Sequence, residues 1–258
     1  MNKKLFIALI LLIFVFLFPL QTQAQEFRLP DINLDISTPE DGGAGTEGGQ
    51  DLVMSLRILL LLTVLTLAPA ILVMVTSFTR IAIVLSIVKR ALSLRKMPPS
   101  QVMVGLAIFL TIFIMAPVWQ SVNSNAIQPY MDEEITTEQA VDNAVEPLRD
   151  FMFKQTREKD LSLFVKMTEM ERPESRADVP IYVLIPAFVI SELKIAFQIG
   201  FIIYIPFLMI DMVVASILMS MGMMMLPPVI ISLPFKLLLF VLADGWYLVI
   251  ESLVKTFN

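Results

Sequence analysis

The sequence predicts an all-α integral membrane protein, built of membrane-inserted helical hairpins with a polar helical cap between them. Three observations carry this. Hydrophobic residues make up 57% of the 258 positions and charged residues only 17%, and the mean hydropathy of +0.77 is too high for a soluble domain of this length. Leu, Ile, Val, Met and Phe recur in long runs, and five of the nine glycines are confined to positions 42–49, which leaves the apolar stretches suited to helix. Finally, Met219, Met221, Met223, Met224 and Met225 fall within seven positions around Gly222 and directly before Pro227 and Pro228, marking a reversal between two apolar runs.

The same composition excludes several chemistries. With no Cys and no His, thiol catalysis, disulfides and imidazole metal sites are absent, and only carboxylates remain as metal ligands. A net charge of -5 provides no basic surface for nucleic acid. No nucleotide-binding or zinc-protease pattern occurs, so no cofactor is expected.

In chain order, Met1–Lys4 is basic, Leu5–Leu20 is apolar, and Thr22-Gln23-Ala24 offers small residues at the spacing signal peptidase reads. Residues 1–24 are therefore expected to be a cleaved signal peptide rather than a retained first helix. Residues 25–51, rich in Pro, Asp, Glu and Gly, bury too little to order themselves and are expected to form a disordered exoplasmic tail.

Residues 52–122 are expected to form the first hydrophobic hairpin. Its first limb is too long for one simple span and contains Arg57, Pro69 and Arg80. Lys89, Arg90, Arg95 and Lys96 form the loop, which the positive-inside rule places in the cytoplasm, in agreement with an exported N-terminus. Pro98 and Pro99 open the second limb.

Residues 123–179 are the one long polar region, with 13 acidic and 7 basic residues between Asp132 and Asp178. Leu148, Phe151, Met152, Phe164, Val165 and Met167 recur among the charges at amphipathic-helix spacing, which predicts a folded exoplasmic cap. Phe151 and Phe164 are large enough to anchor a neighbouring subunit; the plainer reading makes them local core.

Residues 180–258 are expected to form a second hydrophobic hairpin closed by the methionine turn. Methionine is unbranched and polarisable, so a cluster of it at a helix break suits a surface that closes and reopens; the plainer reading is apolar filler. Glu192, Lys194, Asp211, Lys236, Asp244 and Glu251 interrupt the apolar runs. Each ionisable group at membrane depth costs on the order of 2.5–3.5 kcal/mol, so these should face protein or water. A reversal between Met223 and Met224 leaves Asp211 and Lys236 equidistant from the turn, where an antiparallel hairpin brings them level to pair with each other or bridge to neighbouring subunits; the competing reading gives each its own local backbone partner. Glu192 and Lys194 point in different directions on one helix, so Glu192 needs a cation from another helix or another subunit. Ser191 and Lys194 match the S-x-x-K pattern of serine acyl-transfer enzymes, but its companion motifs are missing.

Three stretches carry a family resemblance: SELKIAFQIGFIIYIPFLMIDMVVASILMSMGMMMLPPVIISLPFKLLLFVLADGW in the second hairpin, SFTRIAIVLSIVKRAL in the first, and PLRDFMFKQTREKDLSLF in the cap. From Leu52 onward the chain closely resembles the FliP/SctR family of type III export-gate subunits, and its N-terminal region resembles the flagellar branch. The resemblance implies a core subunit of the flagellar protein export gate in the bacterial inner membrane, within the basal body and with periplasmic exposure. It also implies a right-handed helical oligomer containing five copies of such a subunit with FliQ and FliR, FlhB wrapping the cytoplasmic side, FlhA in the nearby export ring, FliO as assembly factor, and unfolded export substrates as cargo. On the matching positions, Met223, Met224 and Met225 would be a pore gasket, Glu192 an inter-subunit charge contact, and Phe151 and Phe164 cap contacts. No enzyme activity is implied. The alternatives are an injectisome homologue and, from another class, a stand-alone ion channel or small-solute carrier, which would also place polar groups at membrane depth.

Overall fold

Every assigned element of the computed structural model is helical; it describes residues 47–94, 97–168, 173, 175–223 and 226–257. The expected signal peptide, the tail as far as residue 46, and Met224 and Met225 lie outside the described residues. A compact unit runs from residue 56 onward, and of the N-terminal unit only residues 47–55 are described, as the start of a helix.

That helix, α1, spans Glu47–Val75, so it begins five residues before the tail was expected to end. From Ser55 to Val75 it is long and apolar enough to cross a membrane, and nearly all its apolar side chains are exposed. The first limb of the expected hairpin is not one helix. It breaks at Thr76 and Ser77, both buried, and α2 (Phe78–Ala91) resumes beyond. The hairpin proper is therefore α2 with α3 (Ser100–Ile114), packed together across the basic loop.

Met115 then bends the chain by 55° into a second apolar segment, Ala116–Met131. Pro117 near the start of α4 (Ala116–Val122) accounts for the break, because it has no N–H to give the preceding turn. A π-helical turn, Asn123–Ile127, joins α4 to α5 (Gln128–Met131). The expected boundary at Asn123 is thus crossed by continuous helical chain.

The cap consists of α6 (Thr137–Gln155) and α7 (Glu158–Met167). A reciprocal capping box starts α6: Thr136 Oγ1 accepts from the Gln139 N–H while the Gln139 side chain accepts from the Thr136 N–H. Arg149 ties α6 to the chain entering the next helix by donating to the carbonyls of Arg176 and Val179.

The longest element is α8, Ile181–Ser220. Its 40 residues extend about 60 Å, twice the ~30 Å of a bilayer's hydrocarbon core, so it cannot be a simple lipid-embedded span. Its first turns pack on α6 and α7, its middle on α2, and its far end on α9 (Pro228–Leu242). α9 and α10 (Gly245–Lys255) return along it with a 64° break at Ala243 and Asp244.

Two cores result. One joins Ile81, Leu85 and Val88 of α2 to Ala107, Ala196, Phe207, Phe240 and Leu253. The other, under the cap, joins Met115, Phe151 and Met152 to Val183, Leu184 and Phe188. Small residues let helices approach where lipid supplies no hydrophobic drive. At Gly200, where α8 meets α2, an added Cβ would lie 2.3 Å from Ile87 Cδ1.

Candidate functional site

The methionine turn is shaped by Gly222. At φ +72° it occupies the left-handed region that other residues enter at a cost. Its N–H donates to the Met219 carbonyl and the Met223 N–H to the Leu218 carbonyl, both at 3.0 Å, which is the Schellman pattern for ending a helix. Pro228 then starts α9 at a position needing no N–H. Met219 and Met221 are about 60% exposed and Met223 is 37% exposed, so the described thioethers are unburied within a single copy.

Asp211 and Lys236 lie side by side, Nζ to Oδ2 2.6 Å, across the α8–α9 hairpin. The network is larger than a pair. Ser232 donates to the second Asp211 oxygen at 2.6 Å. Lys236 Nζ also donates to Ser93 Oγ at 2.9 Å and to the Ala91 carbonyl at 3.3 Å, at the end of α2. Lys236 is 1% exposed, so this one ammonium joins the tip of the first hairpin to the middle of the second.

Glu192 finds its cation within the same chain. Arg80 of α2 binds it through both arms of the guanidinium, Nε donating to Oε2 at 2.9 Å and Nη2 to Oε1. Both side chains are fully buried. Within one chain Arg80 thus engages both Glu192 oxygens, the cation from another helix that the spacing of Glu192 and Lys194 called for. Arg80 further donates to Gln155 Oε1 at 2.9 Å and to the carbonyl and hydroxyl of Thr256 at 3.0 Å. The Phe257 ring covers it at 3.9 Å. One guanidinium thus joins α2, α8, the cap and the C-terminus.

Phe151 is 9% exposed, edge-on to Phe188 at 6.0 Å and stacked with Phe257 at 6.4 Å. Its face is spent on the subunit's own core. Phe164 is half-buried against the same cluster.

Ser191 holds the cap to α8. Its hydroxyl donates to Asp160 Oδ2 at 2.8 Å and accepts from the Arg157 N–H at 3.0 Å, while the Arg157 guanidinium grips both Asp160 oxygens at 2.9 Å. Burial pushes the Asp160 carboxyl up, but the hydrogen bonds from Ser191 and Arg157 outweigh it and hold the group below the usual carboxylate range. Lys194, the other half of the S-x-x-K match, is exposed and makes no hydrogen bond to Ser191. Among the described residues no cluster of carboxylates could hold a metal ion.

Sequence reasoning named Arg80 as a charge at depth but did not pair it with Glu192, and it missed Gln155, Thr256, Phe257, Ser232 and Asp160. A signal existed for the pair: an Arg and a Glu each stranded in an apolar run solve one another's problem. None existed for the C-terminal residues, whose contacts depend on the bend before α10.

The FliP family model matches residues 61–253. A flagellar biosynthetic protein FliP of Bacillus subtilis is 59% identical over 203 residues, covering 79% of this chain and 92% of the relative. The protein of that name from Pectobacterium carotovorum is 54% identical over 81% of each chain. That from Aquifex aeolicus is 48% identical over 82% of this chain and 89% of its own.

Proposed function

The chain belongs to the FliP family, and from that premise we propose that it is a core subunit of the flagellar type III export gate. With partner subunits it forms the gated channel through which unfolded flagellar proteins cross the bacterial inner membrane. The observation that carries the assignment is the extent of the similarity, which runs through both hairpins and the cap. The finer parts of the reading are the partners FliQ, FliR, FlhB and FlhA, the assembly factor FliO, a homo-oligomeric core, and a periplasmic cap. Its mechanism is passive, without covalent chemistry.

Packing supports the oligomer. Lys236 bonds the Ala91 carbonyl, so Asp211 and Lys236 stand level with the start of the basic loop. Lys89 and Arg90, in the last turn of α2, belong at the membrane's polar boundary. Between Asp211 and Met221 α8 continues for ten residues, about 15 Å, past this level. The protruding tip exposes Met212, Val213, Ile217 and Met219. An apolar projection of this size marks an interaction surface. Its cover is supplied by other copies and partner subunits, whose turns gather Met223, Met224 and Met225 around a shared axis as a gasket. Phe164, with the exposed Leu163 and Met167 of α7, faces a neighbour in the cap.

A strain lacking this chain should secrete no flagellar proteins, and restoring the chain should restore secretion; secretion without it would overturn the assignment. For the gasket, replacing Met223, Met224 and Met225 with Ala should raise ion leakage with assembly intact. Unchanged conductance would remove that role while leaving the export assignment standing.

A further inference from the structure

We propose that Thr256 and Phe257 form a strap, carried by the return limb α9–α10, that closes the joint between the cap and the hairpins, so that the cap is seated only when the return limb has docked. The joint rests on two consecutive residues of α8. Ser191 holds the start of α7 through Arg157 and Asp160. Glu192 holds Arg80, which in turn donates to Gln155 at the end of α6. The turn between the two cap helices, residues 155–157, is thereby fastened to α8 and α2. Residues 256 and 257 close over this joint. Arg80 Nη1 donates to the carbonyl and the hydroxyl of Thr256, each at 3.0 Å, and Gln155 Nε2 donates to the Phe257 carbonyl at 3.4 Å. The Phe257 ring lies over the guanidinium and stacks on Phe151 of α6. Arg80 is fully buried although Thr256 is exposed and Phe257 only half-buried, so the seal over the ion pair is thin.

Phe257 is placed to couple the two halves of the subunit. Among the described residues it alone packs against both hydrophobic cores, the one between the hairpins and the one under the cap. One turn earlier Leu253 is fully buried in the hairpin core, so the strap is set by the seating of α10. The contacts suit a clasp that opens. With the strap lifted, Arg80 keeps Glu192 and Gln155, and Nη1 turns to water instead of being left buried without an acceptor. Opening also leaves intact the Asp211–Lys236 junction, which anchors the return limb at α9. A helix end of this kind ordinarily frays; here fraying would carry the seating of the cap with it. In the proposed export gate, seating fixes the direction in which α7 presents Leu163, Phe164 and Met167 to a neighbour, and that use alone rests on the export reading.

The test is hydrogen exchange of the full chain, purified in detergent and read by mass spectrometry across graded denaturant. In the unmodified protein residues 150–157 and 253–257 should open together as one unit, while the backbone around Asp211 and Lys236 stays protected. Phe257→Ala removes the ring from both Arg80 and Phe151, and should speed exchange across residues 137–167 by about 10- to 100-fold. Phe257→Tyr keeps the ring and should leave those residues unchanged. In the unmodified protein, exchange of residues 253–257 about 100-fold faster than that of residues 150–157 would overturn the proposal, a readout that requires no variant to fold. So would a Phe257→Ala protein whose cap is no faster, or one in which the cap and the backbone around Asp211 and Lys236 speed up equally. None of these readouts depends on secretion, so a failed strap leaves the export assignment standing and a failed assignment leaves the strap.

Discussion

Removing the charge of Glu192 should unfold the subunit long before it alters any channel property. Arg80 and Glu192 are fully buried, and Arg80 donates two bonds to Glu192, one to Gln155 and two to Thr256. Glu192→Met strands a guanidinium, which costs about 3–5 kcal/mol. Total stabilities are only ~5–15 kcal/mol, so most of the margin goes. Arg80→Met should cost at least as much, because it strands Glu192 and also removes the donors to Gln155 and Thr256. Arg80→Met with Glu192→Met removes both charges and leaves only the unpaired Gln155 and Thr256 acceptors, about 1–3 kcal/mol. The cycle is read by thermal unfolding of the purified protein in micelles, where each kcal/mol moves the midpoint by roughly 2–4 °C for a chain of this size. A double variant as unstable as the two singles added together would refute the pair as the source of the loss.

Exchanging charges as Asp211→Lys with Lys236→Asp should restore only part of the assembly lost in either single change, because a carboxylate at 236 would face the Ala91 carbonyl; particle yield after solubilisation measures this. Gly245→Ala would set a Cβ 2.3 Å from the Phe240 ring, which cannot yield as a flexible chain end would, and should cost about 1–3 kcal/mol in a melting experiment. Gly105→Ala, with nothing within 4 Å, should instead gain up to about 1 kcal/mol from helix propensity. The Asp160 carboxyl is held below its unfolded value, so its contribution to the cap is present above the ordinary carboxylate range near ~3.9 and is lost as pH falls through the lowered value. Ser191→Ala removes one of the bonds that lowers it, and should shift acid opening of the cap, followed by proteolysis, to higher pH.

Helix content and the methionine turn were legible because they rest on local signals: long apolar runs, a glycine, and two prolines. The level pairing of Asp211 and Lys236 was legible too, because an antiparallel hairpin with a known turn has one register. Legibility failed where geometry is set by breaks. Thr76 and Ser77 carry no strong helix-breaking signature, so α1 and α2 read as one limb, and the bend at Asp244, with φ +49°, gave no warning that Phe257 would cover Arg80. Phe151 illustrates a different limit. An aromatic on an amphipathic face reads alike whether its cover is the same chain or another, and the sequence carried no sign that Phe188 and Phe257 lie beside it.

Two charge pairs brace α8 at separate levels. Glu192 and Asp211 are nineteen residues apart on one helix, about 28 Å, which matches the ~30 Å of a hydrocarbon core. In lipid, apolar packing alone discriminates poorly between helix registers, since the solvent is as apolar as the side chains. Hydrogen-bonded ion pairs pin α2 against α8 at two levels, and each pair also recruits the neighbouring element: the cap and C-terminus at Arg80, the α9 return at Lys236. The described methionines of the apolar tip beyond Asp211 are exposed within one copy, and on the proposed reading the turns of other copies shield them. That is the condition under which a thioether cluster closes a pore, and a lone copy cannot satisfy it.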